Sequence, residues 1–285
     1  MRGMSLPGRL LDVDGVRTFV HRSGRGEPLV LVHGLLVSHW IWRPVAKPLS
    51  GEAEVIAFDL PGHGEADRPS PHAFDYTPLG LAHYCDRVLE LLGISGATVV
   101  GHSFGGAVAL ALAALHPERV RALLAVDAVA LPFRLPLSGQ LVLSPGIGET
   151  LFKRVYSRGQ MAAHFESAFT DRSLASDLYV DYYWERLNRP GGRDATYAMI
   201  RAMAGLDLSP LLGEIRAPTA VLFGERDRIV PPAHAERLAA LIPGARAEVL
   251  AGCGHSPAEE MPERFIEAVR ALRRQPSGAR LQAAS

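Results

Sequence analysis

Residues 97–116 read ATVVGHSFGGAVALALAALH, and they place Ser103 between a short β-branched run and an apolar helical pattern. Glycine stands two residues before and two residues after this serine, which gives the pattern G-x-S-x-G. A serine at a sharp strand-to-helix turn has strained backbone geometry, and a bulky residue at 101 or 105 would clash there. The turn also presents the hydroxyl beside a helix N-terminus, where negative charge is favoured. Ser103 is therefore the candidate nucleophile.

Short apolar runs on both sides of this segment predict further strands. They are PLVLVHG at 28–34, EVIAFDLPGHG at 54–64, VRALLAVD at 120–127, PTAVLFGERD at 218–227 and ARAEVL at 245–250. Helical patterns alternate with these runs, at 77–92, 104–116, 233–241 and 262–273. This alternation predicts an α/β fold in which helices cover both faces of a mostly parallel sheet. In such folds the functional residues gather at the carboxyl ends of the strands.

Two segments depart from the alternation. Near the start, LLDVDG and VRTFVHRSG meet at Asp14-Gly15, which predicts an antiparallel hairpin at one edge of the sheet. Residues 128–212 have aromatic and helical character without a strand-like run, which predicts a helical lid inserted after the sixth strand. The predicted core domain therefore comprises 9–127 and 213–274, and the tail at 275–285 is predicted to be disordered.

The composition excludes several classes of partner. Of the 285 residues, 48% are hydrophobic and 21% are charged, and the formal net charge is +0. Because no net charge attracts nucleic acid or an anionic membrane, we expect a small apolar molecule, an ester, as the partner and no stable membrane association. The chain is expected to be a monomer or a homodimer.

The compartment follows from the start of the chain and from its cysteines. The first residues lack the apolar run of a signal peptide. Cys85 lies in a helical pattern and Cys253 in a glycine-rich loop, and two thiols so placed do not make a disulfide framework. We therefore expect a cytoplasmic protein with both thiols reduced.

A serine hydroxyl becomes a nucleophile when a base takes its proton, and histidine suits that role near neutral pH. Among the eleven histidines, His255 is preferred because it lies in the loop GCGHSP after the last strand. The alternatives are His33, His63 and His102. Each of these lies in a turn beside glycine, where a structural histidine is the more frequent outcome.

The base in turn needs a carboxylate on its other ring nitrogen, which fixes the tautomer and stabilises the imidazolium. Asp227 ends the run PTAVLFGERD and gives the chain order Ser, Asp, His that is typical of this arrangement. Asp127 ends the preceding run and would reach the same histidine by a different path. We predict Asp227 as the partner, with Asp127 as the alternative.

A tetrahedral oxyanion needs two backbone N–H donors. Phe104, the residue after the nucleophile, supplies one of them. Leu35 is predicted to supply the second, because Gly34 lets the backbone turn inward after the run PLVLV.

The substrate pocket is predicted to be apolar. Leu36, Trp40 and Val230 adjoin the motif residues and are therefore predicted to contact the substrate. Aromatic residues at helical spacing in the lid are more often packing residues than substrate contacts. The lid residues left open in this way are Tyr156, His164, Tyr182, Tyr183, Trp184 and Met203.

No metal and no cofactor is predicted. The sequence has no His-Glu-x-x-His motif and no clustered Cys/His spacing. A phosphate-binding loop at 101–106 is excluded, because no Gly-Lys-Ser/Thr follows.

These residues together resemble a known family. The resemblance rests on VHG at 32–34, FDLPGHG at 58–64, GHSFGG at 101–106, GERD at 224–227 and GCGHSP at 252–257. They are similar to segments of α/β-hydrolase-fold proteins in the esterase, haloperoxidase and meta-cleavage-product-hydrolase group. The resemblance implies eight strands, an acyl-enzyme intermediate and no cofactor. Epoxide hydrolases and haloalkane dehalogenases are similar in the other segments, but they have aspartate in the strand-to-helix turn, called the elbow, where this chain has Ser103. The serine therefore argues against both classes.

We therefore expect a serine hydrolase that cleaves carboxylic esters of small to medium apolar substrates. The same residues would serve a carbon–carbon bond beside a ketone, a thioester, a lactone or an amide, or transfer of the acyl group to another acceptor. The sequence does not separate these reactions. An alternative from another class is a ligand-sensing receptor that uses the same pocket with negligible turnover.

Overall fold

Eight strands form a single sheet in the computed structural model, which describes residues 6–133, 137–144 and 146–275. The strands are β1 (Gly8–Val13), β2 (Val16–Ser23), β3 (Pro28–Val32), β4 (Glu54–Phe58), β5 (Ala97–His102), β6 (Val120–Val126), β7 (Thr219–Gly224) and β8 (Arg246–Leu250). Their spatial order is β1-β2-β4-β3-β5-β6-β7-β8. The β1–β2 and β2–β4 pairs are antiparallel and the others are parallel. The predicted hairpin edge and the eight-stranded, mostly parallel sheet are confirmed.

Helices lie on both faces of this sheet, and further helices lie in the segment between β6 and β7. They are α1 (Arg43–Leu49), α2 (Pro78–Leu91), α3 (Phe104–Leu115), α4 (Leu137–Leu143), α5 (Gly148–Thr150), α6 (Arg158–Ala168), α7 (Asp177–Leu187), α8 (Gly192–Met203), α9 (Ser209–Leu212), α10 (His234–Leu241), α11 (Pro257–Glu260) and α12 (Pro262–Arg273). A π-helical turn at Leu151–Val155 follows α5, and 3₁₀ turns occur at His39–Trp42, Pro117–Arg119 and Arg172–Leu174. The four helices predicted from periodicity correspond to α2, α3, α10 and α12, with ends shifted by one residue at most.

The alternation of side chains along β3 explains why helices cover both faces. Leu29 and Leu31 point to one face and pack in a core that includes α1 and α12. Val30 and Val32 point to the other face and pack with α2, α3 and α10. All four side chains are fully buried. Each such burial contributes about 1.5–3 kcal/mol, so a strand that is apolar on both faces requires cover on both.

The segment between β6 and β7 contains α4 to α9, so the predicted helical insertion after the sixth strand is confirmed. The aromatic face of α7 joins the core cluster that also holds α1 and α12, and α8 packs into the other cluster through Ala195 and Met199. The boundaries proposed for this lid, 128 and 212, remain predictions.

The tail predicted to be disordered lies outside the described residues, except for Gln275. Within the described part of the chain, every helix is too short or too polar to span a bilayer.

Candidate active site

Ser103 lies in the turn between β5 and α3, at the carboxyl edge of the sheet. Its backbone has φ 55° and ψ −119°, an unfavourable region for a residue with a side chain. A Cβ atom at Gly105 would collide with the carbonyl oxygens of Val32 and His33, and one at Gly101 would collide with the carbonyl oxygen of Gly105. The two glycines thus allow the tight packing that holds the serine in this strained turn.

Three side chains from three strand ends meet at this turn. His255 Nε2 lies 2.9 Å from Ser103 Oγ, and His255 Nδ1 lies 2.7 Å from Asp227 Oδ2. Because a carboxylate only accepts hydrogen bonds, Nδ1 carries the proton and Nε2 accepts from the serine hydroxyl. All three residues are at least 93% buried. The arrangement can therefore transfer a proton from Ser103 to His255 away from bulk water.

The Asp227 carboxylate is held in its ionised form. Burial alone would raise its pKa, but the charge and hydrogen bond of His255 outweigh burial and lower it. The second oxygen, Oδ1, accepts the backbone N–H groups of Ile229 at 2.7 Å and Val230 at 3.0 Å. Both oxygens are thus fixed, and the negative charge faces the imidazole.

The loop that carries His255 is fixed on two sides. The backbone N–H of His255 donates to the Ala168 carbonyl oxygen at the end of α6, at 2.7 Å. The carbonyl oxygen of His255 accepts from His102 Nε2, also at 2.7 Å. His102, predicted as an alternative base, therefore supports the backbone of the base, and burial and the neighbouring His255 lower its pKa to about 3.

The other two alternative bases hold turns in place instead of contacting Ser103. His33 Nε2 accepts the Leu60 N–H at 2.9 Å, and burial lowers the pKa of this imidazole to about 4. His63 Nε2 accepts the Leu36 N–H at 3.1 Å, and burial lowers its pKa to about 3. Both side chains therefore stay neutral and serve as acceptors for backbone amides.

Asp127, the alternative acid, lies at the end of β6 and makes a different contact. Its Oδ1 accepts the Gly224 N–H at 2.8 Å, and its side chain is fully buried. Burial and the negative charge of Asp227 raise the pKa of Asp127 well above its ordinary value. The structure thus places Asp227, and not Asp127, in hydrogen-bond contact with His255.

Two backbone amides are available beside the serine. Among the residues that the structure describes, the N–H groups of Leu35 and Phe104 have no hydrogen-bond acceptor. Gly34, just before Leu35, is so close to the elbow that a Cβ there would lie 3.0 Å from the Ser103 Cβ. These two N–H groups remain the predicted donors to an oxyanion.

A cavity of about 220 Å³ opens beside Ser103 and His255. Apolar side chains from the core and the lid make most of its wall; they are Leu35, Val37, Ile41, Val129, Phe133, Phe165, Phe169, Met203 and Ile229. Two of the lid residues left open by the sequence, His164 and Met203, belong to this wall. Burial and then the neighbouring His255 lower the pKa of His164 to about 4, so this imidazole is neutral at pH 7.

The three residues predicted to contact the substrate do not belong to this wall. Leu36 has φ 63°, which turns its side chain away to a separate small cavity beside His63. Trp40 is buried by stacking on Tyr182, with ring centroids 4.3 Å apart. Val230 is fully buried in the core, and its backbone N–H serves Asp227. Proximity to a motif in sequence does not fix side-chain direction. The structure places these three side chains outside the cavity wall, and their contact with the substrate stays a prediction.

The cavity also has a polar corner that the sequence analysis missed. Glu259 Oε2 accepts the hydroxyls of Tyr179 and Ser256, both at 3.0 Å, and Oε1 pairs with Arg43 at 2.8 Å. Burial raises the pKa of Glu259. Arg228 lines the cavity as well and makes no hydrogen bond or ion pair within the described ranges. No motif marked these positions, because their partners are far away in sequence.

Two groups of side chains have the spacing of metal ligands within the described residues. In the first, ring nitrogens of His102 and His255 and an oxygen of Asp127 lie within 4.8 Å of one another. Both ring nitrogens of His255 are already bonded to Ser103 and Asp227, so this group does not offer a free ligand set. The second group comprises Asp86, His116 and Glu118, and here Asp86 is already paired with the Arg119 guanidinium at 2.5 Å.

Comparison with known proteins gives consistent matches over nearly the whole chain. A sequence profile of the family described as alpha/beta hydrolase fold matches residues 27–262. The chain is 32% identical over 273 residues to the 2-hydroxy-6-oxo-2,4-heptadienoate hydrolase of Pseudomonas putida, covering 92% of this chain and 94% of that protein. It is 33% identical over 277 residues to a 2-hydroxymuconate semialdehyde hydrolase of Pseudomonas putida, covering 92% of each. A solved meta-cleavage product hydrolase from Pseudomonas fluorescens is 27% identical, with a TM-score of 0.81 and coverage of 93% and 97%.

Proposed function

Because this chain belongs to the alpha/beta hydrolase fold family and is a hydrolase, we propose that it cleaves a carbon–carbon bond beside a ketone in a small substrate that carries a carboxylate. One similar protein is named for a substrate of this kind, and another is named for a semialdehyde, which has an aldehyde in place of the ketone. A 2-hydroxy-6-oxo-2,4-heptadienoate has a ketone and a carboxylate but no ester, thioester or amide bond. Hydrolysis of that molecule therefore breaks a bond between two carbons.

Ester hydrolysis, which the sequence analysis placed first, is supported less well than this alternative. The residues around Ser103 suit either reaction, because both pass through a tetrahedral oxyanion and an acyl-enzyme. The names of the similar proteins favour the carbon–carbon bond. A receptor with negligible turnover is not favoured, because His255 Nε2 is within 2.9 Å of Ser103 Oγ.

The observation that carries the proposal is this serine–histidine contact at the wall of an apolar cavity. Ser103 Oγ attacks the ketone carbon while His255 takes the hydroxyl proton. The carbonyl oxygen becomes an oxyanion that accepts from the N–H groups of Leu35 and Phe104. Asp227 stabilises the imidazolium of His255.

The carbon–carbon bond breaks when the oxyanion collapses to the acyl ester of Ser103. For the pair to be delocalised, the 2-hydroxyl proton of the dienoate first moves to the carbon beside the ketone, which makes that carbon saturated and creates a carbonyl at position 2. The electron pair of the broken bond then passes into this conjugated 2-oxo group as a dienolate, which takes the proton from His255. Water then attacks the acyl ester with His255 as base, and the acid is released with the serine hydroxyl restored. The net reaction adds one water across the broken bond.

The substrate carboxylate binds at Arg228 in this proposal. Arg228 is the exposed cation on the cavity wall, whereas the carboxylate of Glu259 on the same wall is already paired with Arg43. The apolar remainder of the substrate lies against the aromatic and aliphatic wall.

Replacement of Ser103 by alanine tests the proposal. We expect Ser103→Ala to lower kcat toward a 6-oxo-2,4-dienoate at least about 1,000-fold, because a lost nucleophile leaves only binding and oxyanion stabilisation. Loss of the dienoate chromophore measures the rate. Ser50→Ala, at the end of α1, is the matched control and should keep full activity.

The same assay compares substrate classes. The dienoate is assayed beside p-nitrophenyl acetate, a neutral ester with the same acetyl group as the heptadienoate. Turnover of the ester with none of the dienoate would replace the carbon–carbon proposal with the esterase alternative. Dienoate turnover that survives in Ser103→Ala would exclude Ser103 as the nucleophile.

A further inference from the structure

Asp127 occupies a constrained turn directly after β6. Its backbone has φ 45°, which few residues other than glycine adopt. The backbone N–H donates to the Leu222 carbonyl oxygen at 2.8 Å, and side-chain Oδ1 accepts the Gly224 N–H at 2.8 Å. The turn therefore ties the end of β6 to the end of β7 and directs a carboxyl group into the protein interior.

The other oxygen of this carboxyl group has no hydrogen-bond donor beside it among the described residues, although the carboxyl groups of Asp127 and Asp227 interact with each other. Asp127 Oδ2 is buried and has no hydrogen bond within the described part of the chain. An oxygen of Asp127 nevertheless lies within 4.8 Å of ring nitrogens of His255 and His102. A buried polar atom that is left unpaired costs about 1–3 kcal/mol, so a proton on Asp127 that faces the Asp227 carboxylate lowers the cost of burying this oxygen near His255.

Two carboxyl groups thus lie near one histidine, and only one of them is hydrogen-bonded to it. Asp227 bonds His255 directly, and its negative charge faces Asp127 across the site. Glu260 adds a further negative charge, and the Cys253 thiol in the same loop has its pKa raised by burial and then by Glu260, Asp127 and Asp227.

Close carboxyl groups in a buried site do not both ionise, and the proton stays on the one with fewer hydrogen-bond donors. Asp227 accepts from His255 and from two backbone amides, whereas Asp127 accepts from one amide. Burial and the charge of Asp227 accordingly raise the pKa of Asp127. In the native enzyme Asp127 is the neutral member of the pair.

We propose that Asp127 is a reserve positioning residue for His255, which stays protonated beside Asp227 and becomes the negative partner of the imidazole when the Asp227 carboxylate is absent. The inference rests on the proposed role of Ser103 and His255. Loss of Asp227 removes the neighbouring charge that keeps Asp127 neutral. Ionised Asp127 then reaches His255 directly or through a water molecule.

A double-mutant cycle tests this inference. The four proteins are the wild type, Asp127→Asn, Asp227→Ala and the double variant. The readout is the second-order rate at which a fluorophosphonate labels Ser103, because that rate depends on the base whichever bond the natural substrate presents. The asparagine amide keeps the oxygen that accepts from Gly224 and has the size of a neutral carboxyl group, so it isolates the capacity to ionise.

We expect Asp127→Asn alone to change the labelling rate less than about threefold. In the Asp227→Ala background the same substitution should lower the rate at least about tenfold further. If Asp127 had only a structural role, Asp127→Asn would change the labelling rate by the same factor with and without Asp227. That additive result would overturn the inference. A tenfold or larger loss in Asp127→Asn alone would also overturn it, because Asp127 would then act as an ion in the native enzyme.

Two controls complete the test. Asp227→Asn provides a second background with less change of volume. Circular dichroism identifies which of the two backgrounds is folded. The ratio of labelling rates with and without Asp127→Asn is then measured in the folded background. Asp207→Asn, at an exposed turn, should show equal effects in both backgrounds. Ser103→Ala should abolish labelling: labelling that persists would refute the role of Ser103, whereas its loss together with an additive cycle would refute only the role of Asp127.

Discussion

Arg228 follows Asp227 directly in sequence, but the two side chains lie in different environments. Asp227 is buried against His255, whereas Arg228 is exposed and lines the cavity. Within the described residues Arg228 has no acidic partner, while the neighbouring Glu259 is paired with Arg43. Of the described residues that line the cavity, Arg228 is therefore the cation whose charge no described acidic group balances.

We expect Arg228→Gln to raise KM for a dienoate about three- to tenfold, because an ion pair at an exposed site contributes about 1 kcal/mol. KM for neutral p-nitrophenyl acetate should not change, and kcat should change little for either substrate. Steady-state kinetics at low ionic strength measures both. Arg226→Gln is the matched control, since Arg226 is exposed and outside the cavity wall. An equal rise in KM for both substrates would contradict the ion-pair role.

At the scale of residues, the sequence predicts positions that a backbone motif fixes. Ser103, Asp227 and His255 each follow a strand within a few residues, and parallel strands end at the same edge, so their meeting follows from the motifs. The positions of Leu36 and Trp40 depend on turn dihedrals and on stacking with the lid, which no motif encodes. Pocket residues were therefore the part of the site that the sequence predicted least well.

At the scale of elements, α7 is tied to the loop after β4 by charged groups. Glu65 pairs with Arg186 and Arg189 at 2.6 Å each, and its side chain is 33% exposed. Burial alone would raise the pKa of Glu65, but its contacts with the two arginines outweigh burial and lower it. This contact joins the carboxyl end of α7 to the loop after β4.

We expect Glu65→Gln to speed amide hydrogen exchange in α7 about threefold to fivefold while leaving α3 unchanged. The reason is that a partly exposed ion pair contributes about 1 kcal/mol to the local opening free energy and little to global unfolding. Exchange followed by mass spectrometry measures both helices. Glu248→Gln, which removes the exposed pair with Arg264 at 3.2 Å, should leave α7 exchange unchanged. Equal acceleration in α7 and α3 would indicate global destabilisation instead.

The core elements were predictable because their period is regular. A run such as PLVLV is apolar on both faces and is too short for a buried helix. Its sequence therefore predicts the buried strand β3. The lid helices have weaker patterns. In α6 and α7 the buried positions are set by mutual packing of aromatic rings, such as Phe165 against Tyr179 and Tyr183 at 5.1 and 5.4 Å, and a single helix does not reveal its partner.

For the whole molecule, buried neutral histidines link stability to pH. Burial lowers the pKa of His33 to about 4 and the pKa values of His63 and His102 to about 3. In the unfolded chain each imidazole binds a proton near pH 6.5. Protons are therefore taken up on unfolding between these values, so stability is full above pH 6.5 and is lost as the pH falls toward 4.

We expect the free energy of unfolding to fall by up to about 1.4 kcal/mol per pH unit for each of these histidines. His63→Gln should reduce the slope by about that amount between pH 6 and pH 4, whatever its effect at pH 7. Urea denaturation at several pH values measures the slope. His72→Gln, at an exposed position, should leave the slope unchanged. A slope that is the same in both variants and the wild type would exclude His63 as a source.

The order of the strands along the chain also determines when the three side chains of the site can first meet during synthesis. Ser103, Asp227 and His255 follow β5, β7 and β8, so more than half of the 285 residues separate the nucleophile from its base. A nascent polypeptide that has left the ribosome only as far as β6 carries the elbow without an imidazole that can activate it. With the proposed roles of Ser103 and His255, we expect hydrolytic reactivity only after translation has passed residue 255, and we expect a chain truncated before that point to be inert.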